Sequence, residues 1–225
     1  VVGRRSFGKG LVQRPVPMPD GSMIRLTVAR YHTPSGRCIQ KPYGEDIDYR
    51  KDLEKRFNNG ELMHADSIHF PDSLKYQTRT MGRTVYGGGG IMPDIFVPLD
   101  TVSYTKYHRE LTAKGVIVNT NLIVIDRFRK EYEARYADFK SYEKRFEVDD
   151  TILSILLAEA EKAGVKYDEE LYQASLPLLK VQLKALIARD LWDMSHFYEI
   201  YNPTDETVMK GLEIIQGKDF GVNRK

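Results

Sequence analysis

Hydrophobic and polar positions repeat with two different periods along this chain, and the change falls near residue 99. From Ile24 to Ala29 the apolar Ile24, Leu26 and Val28 alternate with Arg25, Thr27 and Ala29, a period of two that predicts a strand. Asp20-Gly21 ahead of it is a hairpin-turn pair. Thr33-Pro34-Ser35-Gly36 reads as a type I turn, with Pro second and Gly fourth, and Arg37 to Gln40 as a short returning strand. The pattern loosens between Lys41 and Gly88. Asp46 to Phe57 is charge-rich and predicts a short surface helix; His64 to Arg83 is polar and irregular. Four glycines, Gly87 to Gly90, close this stretch, and Ile91 to Pro98 reads as a turn into a brief strand.

From Asp100 onward the period is helical. Thr120 or Asn121 is placed to cap a helix carrying Leu122, Ile125, Phe128, Tyr132 and Tyr136. Asp149 or Asp150 caps the next, with Ile152, Leu153, Leu156, Leu157 and Ala160 on one face, and Gly164 stops it. Asp168 starts a longer helix in which Pro177 predicts a kink or a break. Asn202-Pro203 reads as a cap followed by Pro at the first helical position, ahead of Val208, Leu212 and Ile215. Phe128, Tyr132, Tyr136, Phe139, Tyr142 and Phe146 lie at helical spacing. Glu131, Glu133 and Glu143 interleave with them, which favours packing over a phosphate-binding face. Trp192 with Phe197 and Tyr198 reads as an anchor for the last helices. The expected fold class is α+β: strands and turns over residues 1–98, with an insertion at 41–89, then an all-α region over 99–225.

Composition narrows the function classes. The chain has 225 residues, 41% hydrophobic and 29% charged, an ordinary globular mixture. Its 34 basic and 32 acidic side chains nearly balance, so charge gives no bulk attraction to nucleic acid or to an anionic membrane. No apolar run approaches the length of a membrane span. The single cysteine, Cys38, excludes an intrachain disulfide and a cysteine-rich metal site. Of the five histidines only His64 and His69 lie close together, in a polar stretch that reads as solvated. The chain starts abruptly inside what reads as a strand, so a fragment of a longer product is expected.

Candidate chemistry concentrates in the opening VVGRRSFGKGLVQ. Gly3 to Lys9 fits the first seven places of a phosphate-binding loop. That loop needs Ser or Thr after its lysine to hold Mg²⁺ and a helix behind it. Gly10 and a Pro15, Pro17, Pro19 series stand there instead. Ser6 and Lys9 also spell S-x-x-K, which needs both on one helical face, and Gly8 and Gly10 work against a helix. The third reading takes Lys9 as a general base on a glycine-flanked turn, with Gln13 four residues on to steady its amine. A lysine base must be neutral, which takes a drop from about 10.4 to near 7, mostly by desolvation. A plain surface lysine in a glycine-rich turn is the competing structural explanation.

A longer pattern bears on the choice. VVGRRSFGKGLVQ, DGSMIRLTVARYHTPSGRCIQ and GIMPDIFV occur in that order. Together they resemble the C-terminal half of the catalytic domain of the bacterial carboxyl-terminal processing, or tail-specific, Ser/Lys peptidases. The resemblance spans residues 1 to about 98, and the helical remainder is similar to the C-terminal extension of some larger members. It implies a partial ClpP/crotonase-like core. Lys9 matches the family's general base and Gln13 the residue completing its Ser/Lys/Gln arrangement. The nucleophilic serine, which the family carries a short way upstream, has no counterpart here, and Ser6 matches a non-catalytic position.

The resemblance further implies a serine-type endopeptidase needing no cofactor, acting on an extended protein segment in the bacterial periplasm or cell envelope. The chain alone is expected to be inactive, to need the missing N-terminal half, and to present an open edge at the Val1-Val2 strand. The insertion at Lys41 to Gly89 departs from most relatives and reads as a lid, a partner dock or a decorated loop. A non-catalytic interaction or dimerisation module, including a homodimer, is the alternative.

Overall fold

The computed structural model describes residues 1–42 and 51–217. The chain divides into two units, Val1–Leu99 and Asp100–Lys225; among the described residues the first is built of short strands and one α-helix, the second of helices. The α+β class therefore holds.

In the first unit, β1 (Val2–Gly3) pairs in parallel with a strand from the unit's other end, and β2 (Leu11–Pro17) and β3 (Met23–Arg30) form an antiparallel hairpin. The predicted Asp20-Gly21 turn closes it. Gly21 has φ +83°, and Asp20 Oδ1 accepts the Ser22 N–H at 2.9 Å and its hydroxyl at 2.6 Å. Pro15 and Pro17 sit within β2, as a two-stranded ribbon with one free edge permits. The register shifts between Val12 and Gln13, so that Val12 faces Ala29 and Gln13 faces Thr27. The strand period is borne out, but the half-burial such a period normally signals is not. All eight residues of β3 are exposed, Ile24 at 50% and Leu26 and Val28 at 54%.

Downstream, the Thr33–Gly36 turn forms with a 2.8 Å Gly36 N–H to Thr33 carbonyl bond. The strand expected at Arg37–Gln40 shrinks to one bridge, His32 with Cys38. The carbonyls of Cys38 and Ile39 are taken instead by Gly88 and Gly90 N–H, at 2.8 and 2.9 Å. Within the insertion, α1 spans Asp52–Asn58; the part of the predicted helix at 46–50 lies outside the described residues. The helix is not a purely surface one, since Arg56 is buried. The stretch expected to be irregular holds two short 3₁₀ turns and a hairpin of β4 (Lys75–Gln77) and β5 (Thr84–Tyr86). The last strand, β6 (Ile95–Phe96), is the partner of β1. Val97 is the one hydrophobic side chain buried here among the described residues, beside Gln40, Lys41, Arg56 and Glu61.

The second unit is α2 (Lys106–Ala113), α3 (Val116–Arg135), α4 (Phe139–Arg145), α5 (Asp150–Lys162), α6 (Glu169–Leu191), α7 (Met194–Tyr201) and α8 (Glu206–Gln216). Its axis is α6, where Leu179, Leu183 and Ile187 recur every four residues and are fully buried. It packs against α2, α3 and α7, and α3 packs in turn on α5. Asp149 and Asp168 cap their helices as read, each accepting an N–H at 3.0 Å, and Gly164 ends α5 at φ +66°. Two expectations fail and a third is narrowed. Thr120 and Asn121 lie buried inside α3, which begins after Gly115. Pro177 does not break α6, which runs on for 23 residues. Asp205 caps α8, and Asn202-Pro203 forms a separate 3₁₀ turn. The aromatic run is core: Tyr132, Tyr136, Phe139, Tyr142 and Phe146 are buried, and Tyr142 stacks on Phe146 at 4.5 Å.

Candidate active-site loop

Residues 5–10 carry Lys9 between β1 and β2 without regular secondary structure. That geometry removes two of the three motif readings. Lys9 leads into a strand rather than a helix, unlike a phosphate-binding loop. Ser6 and Lys9 share no helical face. The Ser6 hydroxyl instead accepts the Ile91 N–H at 2.8 Å, while Ser6 N–H donates to the Ile91 carbonyl at 2.9 Å, a two-way clamp on the backbone.

The loop is held by close backbone packing. Gly8 has φ +84°, and a β-carbon there would lie 2.8 Å from Gly90 N, 3.0 Å from Gly89 C and 3.2 Å from Ile39 O. All three are main-chain atoms, so only glycine fits without moving the chain. Gly10 keeps an ordinary φ; it donates its N–H to Gln40 Oε1 at 2.8 Å, and its carbonyl accepts the Tyr31 N–H at 2.8 Å. The Gly8 carbonyl accepts the Lys41 N–H at 2.8 Å. Both glycines are buried, and Lys9 between them is exposed. The described residues thus fix the backbone of Lys9 without supplying the desolvation that a lysine base requires. Gln13 lies on β2, exposed, and its amide donates to Thr27 Oγ1 at 3.4 Å. No hydrogen bond joins it to Lys9 among the described residues.

The groups that brace this loop come from the insertion, and the sequence reading missed them. Arg56, on α1, has a side chain only 4% exposed. Its Nη1 donates to the Ser6 carbonyl at 3.0 Å, and its Nη2 lies 3.3 Å from the Phe7 carbonyl and 3.4 Å from that of Gly89. Its Nε lies 3.0 Å from Asp52 Oδ2, and Glu61 Oε1 is 3.8 Å away. Glu61 also takes both arms of Arg5 at 2.6 Å, a bidentate pair. Lys41 joins Asp52 at 3.0 Å and sits 3.6 Å above the Phe7 ring, within cation–π range. Burial, then repulsion from Arg5, lowers the Arg56 pKa from its ordinary value, and Asp52 and Glu61 oppose that shift. Among the described residues no three His, Cys, Asp or Glu side chains converge on a metal-sized site. No helix among them is long and apolar enough to cross a membrane.

Comparison with known proteins gives the class to which each part is similar. Residues 1–49 match Peptidase family S41, and residues 107–193 match a family of unknown function (DUF8443). The relatives make this more particular. The carboxy-terminal processing protease CtpB of Bacillus subtilis is 58% identical over 30% of this chain and 17% of its own length. The chloroplastic C-terminal processing peptidase of Tetradesmus obliquus is 54% identical over 24% and 11%, and the carboxy-terminal-processing protease of Bartonella bacilliformis 50% over 18% and 9%. The N-terminal segment of this chain is therefore similar to part of the carboxy-terminal processing peptidases, and the matches span less than a fifth of each of these relatives. No solved structure matches.

Proposed function

We propose that this chain carries the base-bearing part of a serine-type carboxy-terminal processing peptidase with a ClpP/crotonase-like core. A serine from the upstream part of the catalytic domain attacks the peptide carbonyl. Lys9 takes the serine's proton and later delivers it to the leaving amine, and Gln13 orients Lys9. The observation that carries this reading is the family match over residues 1–49 together with the Lys9 loop, whose backbone is fixed on both sides by glycine packing while the amine stays accessible. In this reading the upstream part of the catalytic domain also supplies the desolvation that the exposed Lys9 lacks. The chain by itself is accordingly inactive.

Its substrate in this reading is an extended polypeptide segment, bound by strand addition in the cell envelope. A homodimer through the helical unit is compatible with it, since Val208, Leu212 and Ile215 of α8 are exposed. The test is Lys9→Ala in the full-length enzyme, assayed on dye-labelled unfolded casein. Turnover should vanish with the far-ultraviolet circular dichroism unchanged; substantial residual turnover would remove Lys9 from the mechanism.

A further inference from the structure

Arg56 belongs to the segment that departs from the family pattern, yet its guanidinium reaches the residues immediately before Lys9. One planar group touches three main-chain carbonyls from two parts of the chain, Ser6 and Phe7 on one side and Gly89 on the other. Burying an arginine is expensive, and well-packed apolar residues are often the more stable solution. A group kept buried at that cost, and spent on the carbonyls of one loop, serves geometry. The donors also fit the local backbone. The carbonyls of Ser6 and Phe7 turn toward Arg56 while Lys9, just past the left-handed Gly8, is exposed.

The carboxylates around Arg56 tie it to the same loop a second time. Glu61 holds Arg56 at 3.8 Å and also forks to Arg5, one residue before Ser6. Asp52 holds both Arg56 and Lys41, whose ammonium covers the ring of Phe7. Moving α1 would therefore pull on residues 5, 6 and 7 together. A lid, or a loop that merely docks a partner, needs no such buried anchorage beneath the base.

We infer that the stretch from Asp52 to Glu61 is a positioning element for the general base, with Arg56 as the positioning residue that sets where Lys9 presents its amine. This rests on Lys9 being the base. The test uses the full-length enzyme on dye-labelled unfolded casein, comparing Arg56→Lys, Arg56→Ala and Lys9→Ala. Turnover is normalised to the folded fraction from near-ultraviolet circular dichroism. Lysine keeps the charge but cannot span three carbonyls. If Lys9 shifts by about 1 Å, kcat per folded molecule should fall by about 100-fold in both Arg56 variants. KM should be unchanged, since substrate contacts are untouched. Added methylguanidinium should restore part of the Arg56→Ala turnover and none of the Lys9→Ala turnover. A purely structural Arg56 would lower activity only in step with the folded fraction, and that result overturns the inference. Wild-type kcat in both Arg56 variants with a dead Lys9→Ala overturns it too, leaving the Lys9 assignment standing. An active Lys9→Ala overturns both.

Discussion

Gly8 and Gly21 make a matched pair for testing what holds the Lys9 loop. Both are in the left-handed region, at φ +84° and +83°. A β-carbon at Gly21 would meet nothing within 4 Å, whereas at Gly8 it would press on three main-chain atoms at 2.8, 3.0 and 3.2 Å. Alanine at either site costs about 1–2 kcal/mol for the left-handed backbone. About 0.4–1 kcal/mol of that is offset because alanine restricts the unfolded chain. Gly21→Ala should therefore destabilise by at most about 1.6 kcal/mol, with wild-type turnover.

Gly8→Ala carries the same backbone term and must also push Gly89, Gly90 and Ile39 outward by a few tenths of an ångström. Overpacking of that kind adds about 1–3 kcal/mol. Hydrogen–deuterium exchange should show the site of the damage. The Lys41 and Gly90 N–H groups, bonded to the Gly8 and Ile39 carbonyls, should exchange faster in Gly8→Ala and at the wild-type rate in Gly21→Ala. Casein turnover by the full-length enzyme should fall at least about tenfold in Gly8→Ala alone, because the displaced atoms lie next to Lys9. Equal exchange and equal turnover in the two variants would refute the idea that this packing holds the Lys9 loop.

Two further predictions concern the helical unit. His108 is buried with Nε2 2.8 Å from Gln182 Oε1, and burial lowers its pKa against the opposing pull of that bond. As pH drops below the ordinary imidazole value of 6.5, the unfolded chain takes up a proton that the folded chain refuses, so stability falls. Urea midpoints at pH 7.5 and 5.5 should show that loss in the wild type and a smaller one in His108→Gln; identical slopes would discount His108. Tyr142, fully buried, donates its hydroxyl to the Lys184 carbonyl at 2.8 Å, and Tyr142→Phe should cost about 1 kcal/mol of stability in urea unfolding. No measurable change would mean that the bond contributes nothing net.

The features legible in the sequence were those whose physics is local. Asp20-Gly21, Asp149, Asp168 and Gly164 each act within four residues, and each does in the structure what its type and place indicate. Helix starts with several adjacent polar residues were misplaced. The Thr120 hydroxyl donates to the Val116 carbonyl inside α3 and the Asn121 amide donates to Asp190, which no local pattern reveals. Lys9 and its glycines were legible as a special turn because glycine at such spacing has few other uses. Arg56 was not. It lies in a run of charges that reads as a solvated surface, and its partners at Ser6, Phe7 and Gly89 are carbonyl oxygens, which every residue has. The burial of Gln40 and Glu61 was hidden for the same reason: their partners are distant in sequence and are backbone or charge.

The first unit buries charge and amide where a domain ordinarily buries hydrocarbon. Apolar surface leaving water is the main source of the heat-capacity change of folding, and Val97 supplies little of it. Among the described residues of this unit the most buried side chains are held by ion pairs and main-chain bonds, whose strength varies with temperature differently from that of an oily core. Its apolar capital, Ile24, Leu26 and Val28 on β3, is still exposed. A surface that covered that strand would bring apolar burial, and its heat-capacity signature, with it. In this unit, then, the Lys9 loop is braced by ion pairs and main-chain bonds, while the apolar face of β3 stays open to solvent.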